Sequence, residues 1–385
     1  MSAPGHPAAS RPVLLTPLTI RELELRNRLA ISPMCQYMAL DGVANDWHLA
    51  HLAKFALGGA GTVFVEATAV AEDGRITHGD VGLWHDGQVP PLRRVAGFLR
   101  SHGAAAAIQL GHAGRKAGTQ RPWHGNGPLG EADRARGEAP WPVSGPSALA
   151  AAADWPVPRA LDRDDMARLR EAWRTATLRA LDAGFDIVEL HCAHGYLLHQ
   201  FLSPIANRRS DGYGGDREGR MRFPLEVAEA VRGAWPAQRP MFVRISARDW
   251  EEGGWTLEDS VDFARALAAR GIDLIDCSAG GIGASATAAR VPRWPGFQVP
   301  FASRIRQEAG LPTMAVGLIT EARQAEAVLA EGHADLVAIG REAMVDPNWL
   351  LRAERELDPA AGFAAWPEPY GWWLDRRERL RRDGA

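Results

Sequence analysis

Eight short apolar runs, each followed by a segment of helical periodicity, constrain the fold of this 385-residue chain more than any other feature. Apolar runs that alternate with amphipathic helical segments are typical of βα units and a parallel sheet, because strands covered by helices are buried on both faces. The runs are RLAISPM (28–34), TVFVEATAV (62–70), AAAIQLGH (105–112), FDIVELHCA (185–193), MFVRISA (241–247), IDLIDCSAG (272–280), PTMAVGLI (312–319) and ADLVAIG (334–340).

Two of the intervening segments carry clear helix signals. In DDMARLREAWRTATLRALDAG (164–184), Leu, Ala and Trp recur at i, i+3, i+4 spacing and a Gly closes the end. TLEDSVDFARALAARG (256–271) repeats the plan, and Thr256 with Asp259 resembles a capping pair at its start. We expect both segments to be crossover helices between parallel strands.

The number of units favours a closed (β/α)8 TIM barrel, since eight strands leave an interior that side chains can fill. An open doubly wound sheet would instead want G-x-G-x-x-G after the first strand, where this chain reads PMCQYM (33–38). We predict a flexible tail (1–12), one barrel domain (13–360) and a C-terminal arm (361–385). Residues 113–160, rich in Gly, Pro and Trp, are expected to form a long loop over one barrel mouth.

Composition excludes several partners. A net charge of −3 gives no electrostatic reason to bind nucleic acid or an anionic membrane. Cys35, Cys192 and Cys277 are odd in number and far apart, so they indicate neither a disulfide framework nor a zinc ribbon. No apolar run approaches the roughly eighteen residues of a membrane helix. We expect a cytoplasmic protein that binds small molecules.

The residues that end each apolar run are the candidates for chemistry, because barrel active sites lie at the carboxyl ends of the strands. Gly317 and Gly340 could let backbone N–H groups approach a phosphate, and Arg341 could add a bidentate charge. The alternative is that the two glycines only form tight turns and that the arginine only lies at the surface. Arg244 lies inside the strand run FVRIS, where we favour an anionic ligand over a buried salt bridge. The other candidates are Cys35, Tyr37, Glu66, Ala67, Gln109, His112, His191, His194 and Tyr196.

His191 and His194 stand three residues apart at the end of the fourth run, with Tyr196 close behind. A metal site would need a third ligand, and the stretch lacks the Glu of H-E-x-x-H. Glu189, two residues before His191, could face the same way along the strand, so a zinc site stays an alternative. Two neutral imidazoles that donate to one substrate oxygen need no third ligand. Either histidine alone could be a satisfied core residue, but the pair favours hydrogen bonding to a substrate, with no metal.

Six segments match one known family in order and at barrel spacing. They are LRNRLAISPMCQY (25–37), GTVFVEATAV (61–70), IQLGHAGRKA (108–117), HCAHGYLLHQFLSPIANRRSDGYGG (191–215), FVRIS (242–246) and LVAIGREAM (336–344). By these segments the chain resembles the old yellow enzymes, FMN-dependent ene-reductases, over nearly its whole length. Cys35, where other members carry Thr, makes it most similar to the branch of bacterial xenobiotic reductases and thermophilic-like ene-reductases.

The resemblance implies tightly bound FMN, with NADPH or NADH as co-substrate. On the substrate side it implies that His191 and His194 bind the carbonyl oxygen, that Tyr196 donates a proton and that Tyr37 is a further contact. It also implies that Cys35 belongs to the catalytic set. The implied flavin contacts are Ser32, Pro33, Met34 and Cys35 along the flavin, Ala67 and Gln109 at its ring, Arg244 near the pyrimidine edge, and Gly317, Gly340 and Arg341 at the phosphate.

The segment WPEPYGWWLDRRERL (366–380) follows the eighth βα unit and has no place in the barrel. In the branch that this chain resembles, a C-terminal arm reaches into the neighbouring subunit's active site. The pattern P-Y-x-x-W-L points to Trp373 as the substrate-binding residue of the arm, with Trp372 and Arg376 as substitutes. This implies a homodimer or a dimer of dimers with shared active sites, whereas the alternative is a helix that packs on its own barrel.

Two segments depart from the family pattern. GGDREGR (214–220) has Asp216 and Gly219 where relatives often carry Ser and Asn, and Asp can cap the following helix as Ser does. MAVGLIT (314–320) has Val316 beside Gly317, where related xenobiotic reductases can carry Trp. The second departure leaves the shape of the substrate open.

The resemblance implies an NAD(P)H-dependent ene-reductase that reduces the activated C=C bond of α,β-unsaturated carbonyl compounds. Hydride would come from reduced FMN and a proton would be added at the α-carbon. Two other classes stay open: a metal-dependent or acid/base lyase on the same barrel, and a non-catalytic flavin-binding protein. A dienoyl-CoA reductase relative is disfavoured, because three scattered cysteines cannot supply its iron–sulfur cluster.

Overall fold

The computed structural model describes residues 11–283 and 291–383, so most of the predicted tail lies outside the described residues. Among the described residues, eight parallel strands close into a barrel. They are β1 (Leu29–Ile31), β2 (Thr62–Ala69), β3 (Ala105–Gly111), β4 (Ile187–Cys192), β5 (Met241–Ser246), β6 (Leu274–Ser278), β7 (Thr313–Val316) and β8 (Leu336–Ile339). Each strand lies within one of the predicted runs, and the predicted (β/α)8 class is confirmed.

Closure of the ring explains why the strands are buried along almost their whole length. β8 pairs with β1 through Val337–Leu29, Ala338–Ala30 and Ile339–Ile31, so the sheet has no open edge. One set of strand side chains faces outward to the helices and the other fills the barrel, where Phe64, Phe242 and Met314 pack together. An antiparallel hairpin, Leu18–Ile20 with Leu23–Leu25, adds Ile20 and Leu25 to this interior cluster and so covers the amino-terminal end of the barrel.

Helices follow the strands as the periodicity predicts. Arg163–Asp182 and Leu257–Ala268 occupy the two predicted segments, and the Thr256–Asp259 capping pair is confirmed by reciprocal hydrogen bonds. Asp216 Oδ1 accepts from Gly219 N–H at 2.8 Å, as expected for a cap. No helix in the described part of the chain is long and apolar enough to cross a membrane. The other long helices are Asp46–Leu57, Val89–Ser101, Arg217–Ala234, Val299–Ala309, Ala322–Ala330, Trp349–Leu357 and Glu368–Asp383, and the short ones are Glu131–Arg134, Leu197–Leu202 and Arg341–Val345.

The segment 113–160 runs over the carboxyl-terminal mouth of the barrel, as predicted. It contains short turns, the helix Glu131–Arg134 and a two-residue strand pair, Ser144–Gly145 with Arg159–Ala160. Lys116 Nζ donates to the backbone oxygen of His194 at 2.8 Å, and Arg121 Nε donates to that of Tyr37 at 3.0 Å. These bonds tie the loop to residues that follow β4 and β1.

The C-terminal helix, Glu368–Asp383, leaves its aromatic side chains in solvent within one subunit. Of its described residues, Gly371 is buried, whereas Trp372 and Trp373 are 56% and 65% exposed. The two indoles contact each other at 4.6 Å between ring centroids. A single chain therefore does not bury these tryptophans on its own barrel.

Candidate active site

A cavity of ≈ 240 Å³ opens at the carboxyl ends of β7, β8, β1 and β5. It collects residues that lie far apart in the sequence and were predicted to bind a cofactor. Residues that follow β7 and β8 meet those that follow β1, and Arg244 projects from β5. The predicted residues that line it are Ser32, Pro33, Met34, Arg244, Gly317, Gly340 and Arg341.

Two glycines keep this cavity open to backbone approach. Gly317 has a φ of +119°, and a Cβ there would lie 2.8 Å from Gln298 Nε2. A Cβ on Gly340 would lie 3.3 Å from Met34 Sδ. Arg341 is exposed at the rim and forms no ion pair with another described residue. Free guanidinium and accessible backbone donors make this cavity suited to an anion such as a phosphate.

Arg244 corrects the sequence-based interpretation in part. Its side chain is buried, and its Nε lies 3.3 Å from Asp276 Oδ2 on the neighbouring strand β6. A buried salt bridge, which the sequence argument disfavoured, is therefore present. Because Arg244 also lines the cavity, the remaining face of its guanidinium is still available to a ligand.

Gln109 has a carboxyl group as its partner on the adjacent strand. Its Nε2 donates to Glu189 Oε1 at 2.8 Å, because β3 and β4 pair with these two residues in register. Burial, followed by the nearby charge of Asp276, raises the pKa of Glu189 well above its ordinary value. Glu189 thus orients Gln109, which fixes the carboxamide for a ligand in the barrel mouth.

His191, His194 and Tyr196 converge at the carboxyl end of β4. The ring centroid of His191 lies 5.1 Å from that of His194 and 5.0 Å from that of Tyr196, with the rings nearly perpendicular. His191 Nδ1 accepts from Ala193 N–H at 3.3 Å, so the ring proton is on Nε2. His194 Nε2 lies 2.7 Å from Ser278 Oγ, which holds that ring against β6.

Electrostatics keep all three groups neutral. Burial, reinforced by the charge of Arg244, holds the pKa of His191 and His194 well below its ordinary value. Burial and the nearby Cys35 and Asp80 raise the pKa of Tyr196 well above its ordinary value. At neutral pH the site therefore offers imidazole N–H and phenol O–H donors. Within the described residues, no group of three or more His, Cys, Asp or Glu side chains is arranged to hold a metal ion.

A smaller cavity joins the phenol and imidazole to β2 and β3. It is lined by Ala67, His112, His191 and Tyr196, together with Asp80, whose pKa burial raises to about 6. The register between β2 and β3 shifts between Val65 and Ala67, which accommodates Glu66 as an extra residue. Ala67 is thus on the same face of the barrel as the histidine pair.

Cys35 and Tyr37 complete this side of the mouth. Burial, followed by the charges of Glu66 and Asp80, raises the pKa of Cys35 well above its ordinary value, so it is a thiol at neutral pH. Burial also raises the pKa of Tyr37, and both Cys35 and Tyr196 contribute to that shift, which puts the three side chains in one region. The Tyr37 ring meets Trp123 edge-on at 6.1 Å.

Several residues of the site were missed by the sequence argument. Ser278 and Asp276 were inside a predicted strand but carried no motif. Lys116 offered a signal, because it is one of only two lysines in the chain and lies in the family-matching segment 108–117 after the third strand. Its buried Nζ bridges the carbonyl oxygens of His194 and Gly281 at 2.8 and 3.0 Å.

Trp373 is the predicted site residue that a single chain does not bring to the mouth. It lines neither of the two cavities described above, and its ring contact among the described residues is with Trp372. Its role stays a prediction.

Comparisons with known proteins give the context of this site. A sequence profile of the NADH:flavin oxidoreductase / NADH oxidase family matches residues 13–359. An NADPH dehydrogenase of Geobacillus thermodenitrificans is 43% identical over 347 residues, which cover 90% of this chain and 94% of the relative. Morphinone reductase has a TM-score of 0.72 at 28% identity, covering 90% of this chain and 89% of its own. The old yellow enzyme homologue from Zymomonas mobilis has a TM-score of 0.73 at 25% identity, covering 94% and 98%.

Proposed function

The chain belongs to the NADH:flavin oxidoreductase / NADH oxidase family, that of the old yellow enzymes, and from this we propose that it is an ene-reductase. FMN is its cofactor and NAD(P)H its electron donor. The proposed substrates are α,β-unsaturated carbonyl compounds, whose activated C=C bond is reduced. The observation that carries the proposal is the neutral pair His191 and His194 beside Tyr196, at the barrel mouth that also holds the anion-binding cavity.

The residues of the larger cavity fit FMN. Gly317, Gly340 and Arg341 would hold its phosphate, because they offer backbone donors and an unpaired guanidinium. Ser32 Oγ is buried without a hydrogen-bond partner among the described residues, which is costly unless a ligand supplies one. Ser32, Pro33, Met34, Cys35, Ala67 and Gln109 would flank the ring, and Arg244 would bind near its pyrimidine edge.

When bound, FMN would supply the hydride chemistry that links NAD(P)H to the β-carbon of the alkene. Arg244 would place a positive charge beside the flavin, held in direction by Asp276. The N–H groups of His191 and His194 would bind the substrate carbonyl oxygen, where negative charge grows as hydride arrives. Each well-placed donor of this kind contributes about 3 kcal/mol.

Tyr196 would deliver the proton to the α-carbon. Its raised pKa keeps the phenol protonated through the physiological range, and a positioned general acid contributes roughly 10² to 10⁴ in rate. Tyr37 would be a further substrate contact, and Cys35 would lie against both flavin and substrate. Burial keeps the Cys35 thiol neutral and so avoids a second negative charge there.

A spectroscopic experiment tests this function. The purified protein should be yellow, lose its visible absorption with anaerobic NADPH, and regain it with 2-cyclohexenone. A yellow protein that NADPH bleaches but no enone reoxidises would leave only the oxidoreductase class. A colourless protein that takes up no FMN and acts without nicotinamide would instead favour the lyase alternative.

We also propose that the functional unit is a homodimer, or a dimer of dimers, in the cytoplasm. The exposed Trp372 and Trp373 form an apolar surface that a second subunit would cover, with Trp373 contributing to the neighbouring substrate site and Arg376 beside them. Cys35, Cys192 and Cys277 are all unpaired, which suits a reducing compartment.

A further inference from the structure

The turn that presents His194 and Tyr196 is contacted by a second pair of titratable side chains, His199 and Asp249. Both are completely buried, and the proposed chemistry uses neither. His199 lies in the short helix Leu197–Leu202 directly after the turn, and Asp249 lies beyond β5.

This turn follows an unusual backbone path. His194 has a φ of +59° and Gly195 a φ of +73°, so two successive residues are left-handed. A residue with a Cβ rarely adopts this conformation unless surrounding contacts enforce it. A Cβ on Gly195 would lie only 2.1 Å from the backbone oxygen of Gly281. The position of His194 therefore depends on what holds Gly195.

One hydrogen bond at Gly195 depends on a tautomer. Its N–H donates to His199 Nδ1 at 2.8 Å. Because a backbone N–H can only donate, His199 Nδ1 must carry a lone pair, and the ring proton must be on Nε2. The other ring tautomer would place two donors against each other.

Asp249 selects this tautomer. His199 Nε2 lies 2.9 Å from Asp249 Oδ1, which is an ion-pair distance, and neither atom has a hydrogen-bond partner of good geometry among the described residues. Asp249 Oδ2 accepts from Ser203 Oγ at 2.6 Å and from Trp255 N–H at 2.7 Å. A carboxylate only accepts, so it requires the proton of His199 on Nε2.

We propose that Asp249 and His199 are positioning residues for the substrate-binding site. The carboxylate holds the tautomer of His199, and His199 Nδ1 holds the turn that aims His194 and Tyr196. The inference rests on the proposed function for the reaction step that it serves. In metal sites, removal of the outer partner that fixes a histidine tautomer typically lowers metal affinity or activity by about tenfold to a hundredfold, and we expect an effect of this size here.

Asp249→Asn tests the tautomer directly. Ser203 and Trp255 both need an acceptor, so they would keep the amide oxygen and turn the amide NH2 toward His199. Nε2 of His199 would then accept, and Nδ1–H would oppose Gly195 N–H. We expect the rate of flavin reoxidation by 2-cyclohexenone to fall about tenfold to a hundredfold, with flavin reduction by NADPH unchanged. A normal reoxidation rate would overturn the proposal.

A matched pair at position 199 separates the hydrogen bond from packing. His199→Asn and His199→Leu remove the same ring and introduce side chains of the same shape, but only Asn offers an oxygen to Gly195 N–H. His199→Asn should retain the reoxidation rate and should partly rescue Asp249→Asn in the double variant, because it has no tautomer to invert. His199→Leu should lose the rate. An equal loss of reoxidation rate in both variants would contradict the proposal. If Asp249→Asn does not fold, the comparison of His199→Asn with His199→Leu still tests the proposal.

Hydrogen exchange of the Gly195 amide, followed by mass spectrometry with single-residue fragmentation, gives a readout independent of the enzyme reaction. Exchange should be slow in the wild type and in His199→Asn, and faster in His199→Leu and Asp249→Asn. A wild-type protein that reduces no enone would contradict the proposed function, but the exchange rates at Gly195 would still test the positioning role. Identical exchange in all four proteins would remove the positioning role.

Discussion

At the scale of single residues, burial decides the chemistry of the site. A histidine of ordinary pKa would be partly charged near pH 6.5, and a charged pair only 5.1 Å apart between ring centroids would repel. His191 and His194 avoid this, because burial and Arg244 lower the pKa of both. They thus remain neutral donors over the pH range in which the proposed enzyme would work.

We predict that His191→Ala or His194→Ala slows reoxidation by 2-cyclohexenone by about a hundredfold to a thousandfold, because each removes one donor to the developing oxyanion. Reduction by NADPH should change much less. Stopped-flow measurement of both half-reactions checks this, with exposed His102→Ala as the control. Normal enone kinetics in both variants, or activity that follows added zinc, would contradict the hydrogen-bonding role.

Lys116 predicts a pH dependence. Burial and the charge of Arg115 lower its pKa to about 8, so the ammonium is present below that pH and neutralises above it. The ammonium donates to His194 O and Gly281 O and lies 5.3 Å from the centroid of the Tyr196 ring. We expect the enone half-reaction to slow as pH rises through about 8. Lys116→Met should have a slower enone half-reaction at neutral pH and should lack the decline above about pH 8. Lys54→Met, at the other lysine, should retain that decline. A wild-type enone rate that does not change through this pH range would contradict the role of the Lys116 ammonium.

At the scale of elements, the site is made where the carboxyl ends of strands meet the segments that follow them. The turns after β7 and β8 supply the glycines of the larger cavity, β4 supplies His191, and the turn after β4 supplies His194. The long loop 113–160 adds Lys116 and Arg121, which bind backbone oxygens of neighbouring turns. Rigid strands thus position the groups, and the loops complete the contacts.

Gly317→Ala should weaken FMN binding, because the added Cβ would lie 2.8 Å from Gln298 Nε2 and because the φ of +119° at this position is strained for a residue with a Cβ. Gly97→Ala is the matched control, because Gly97 lies in the helix Val89–Ser101 and a Cβ added there would meet no neighbouring atom within 4 Å. The control should keep its FMN and gain about 1 kcal/mol of stability. FMN content and thermal unfolding measure both effects, and equal FMN affinity in the two variants would count against the phosphate role.

At the scale of the whole molecule, the C-terminal helix leaves large apolar side chains exposed to solvent. Tyr370, Trp372, Trp373 and Leu380 are exposed on a helix that buries Gly371 among its described residues. Large apolar side chains grouped in solvent commonly mark an interface. The barrel, by contrast, buries its apolar side chains within the same chain.

We predict that deleting residues 369–385 raises the Michaelis constant for enones and weakens dimerisation, with FMN still bound. Trp373→Ala should raise the Michaelis constant with less effect on assembly, and Val157→Ala serves as the control at another exposed apolar residue. Enone kinetics and sedimentation measure the two effects. Mixed dimers of the truncated chain with a His191→Ala chain should recover some activity if the C-terminal arms cross between subunits. Verified mixed dimers without activity would favour an arm that packs on the barrel of its own chain.

The sequence by itself determined the barrel, because the period and order of apolar residues are local properties. The eight runs, the helix caps at Thr256 and Asp216, and the polar residues that end the strands could all be identified along the chain. Arg244, Gly317, Gly340 and Arg341 of the larger cavity were identified in the same way, whereas Ser32, Pro33 and Met34 were identified through the resemblance to a family.

Only the tertiary structure decided which of these groups face each other. Arg244 pairs with Asp276, and Gln109 with Glu189, because neighbouring strands lie in a particular register. Lys116 reaches the turn at His194 because a loop from one strand crosses the end of another. These partners are far apart in sequence, and their choice depends on strand register and ring closure, which no local pattern encodes. Burial, and therefore the pKa of each group, follows from the same closure.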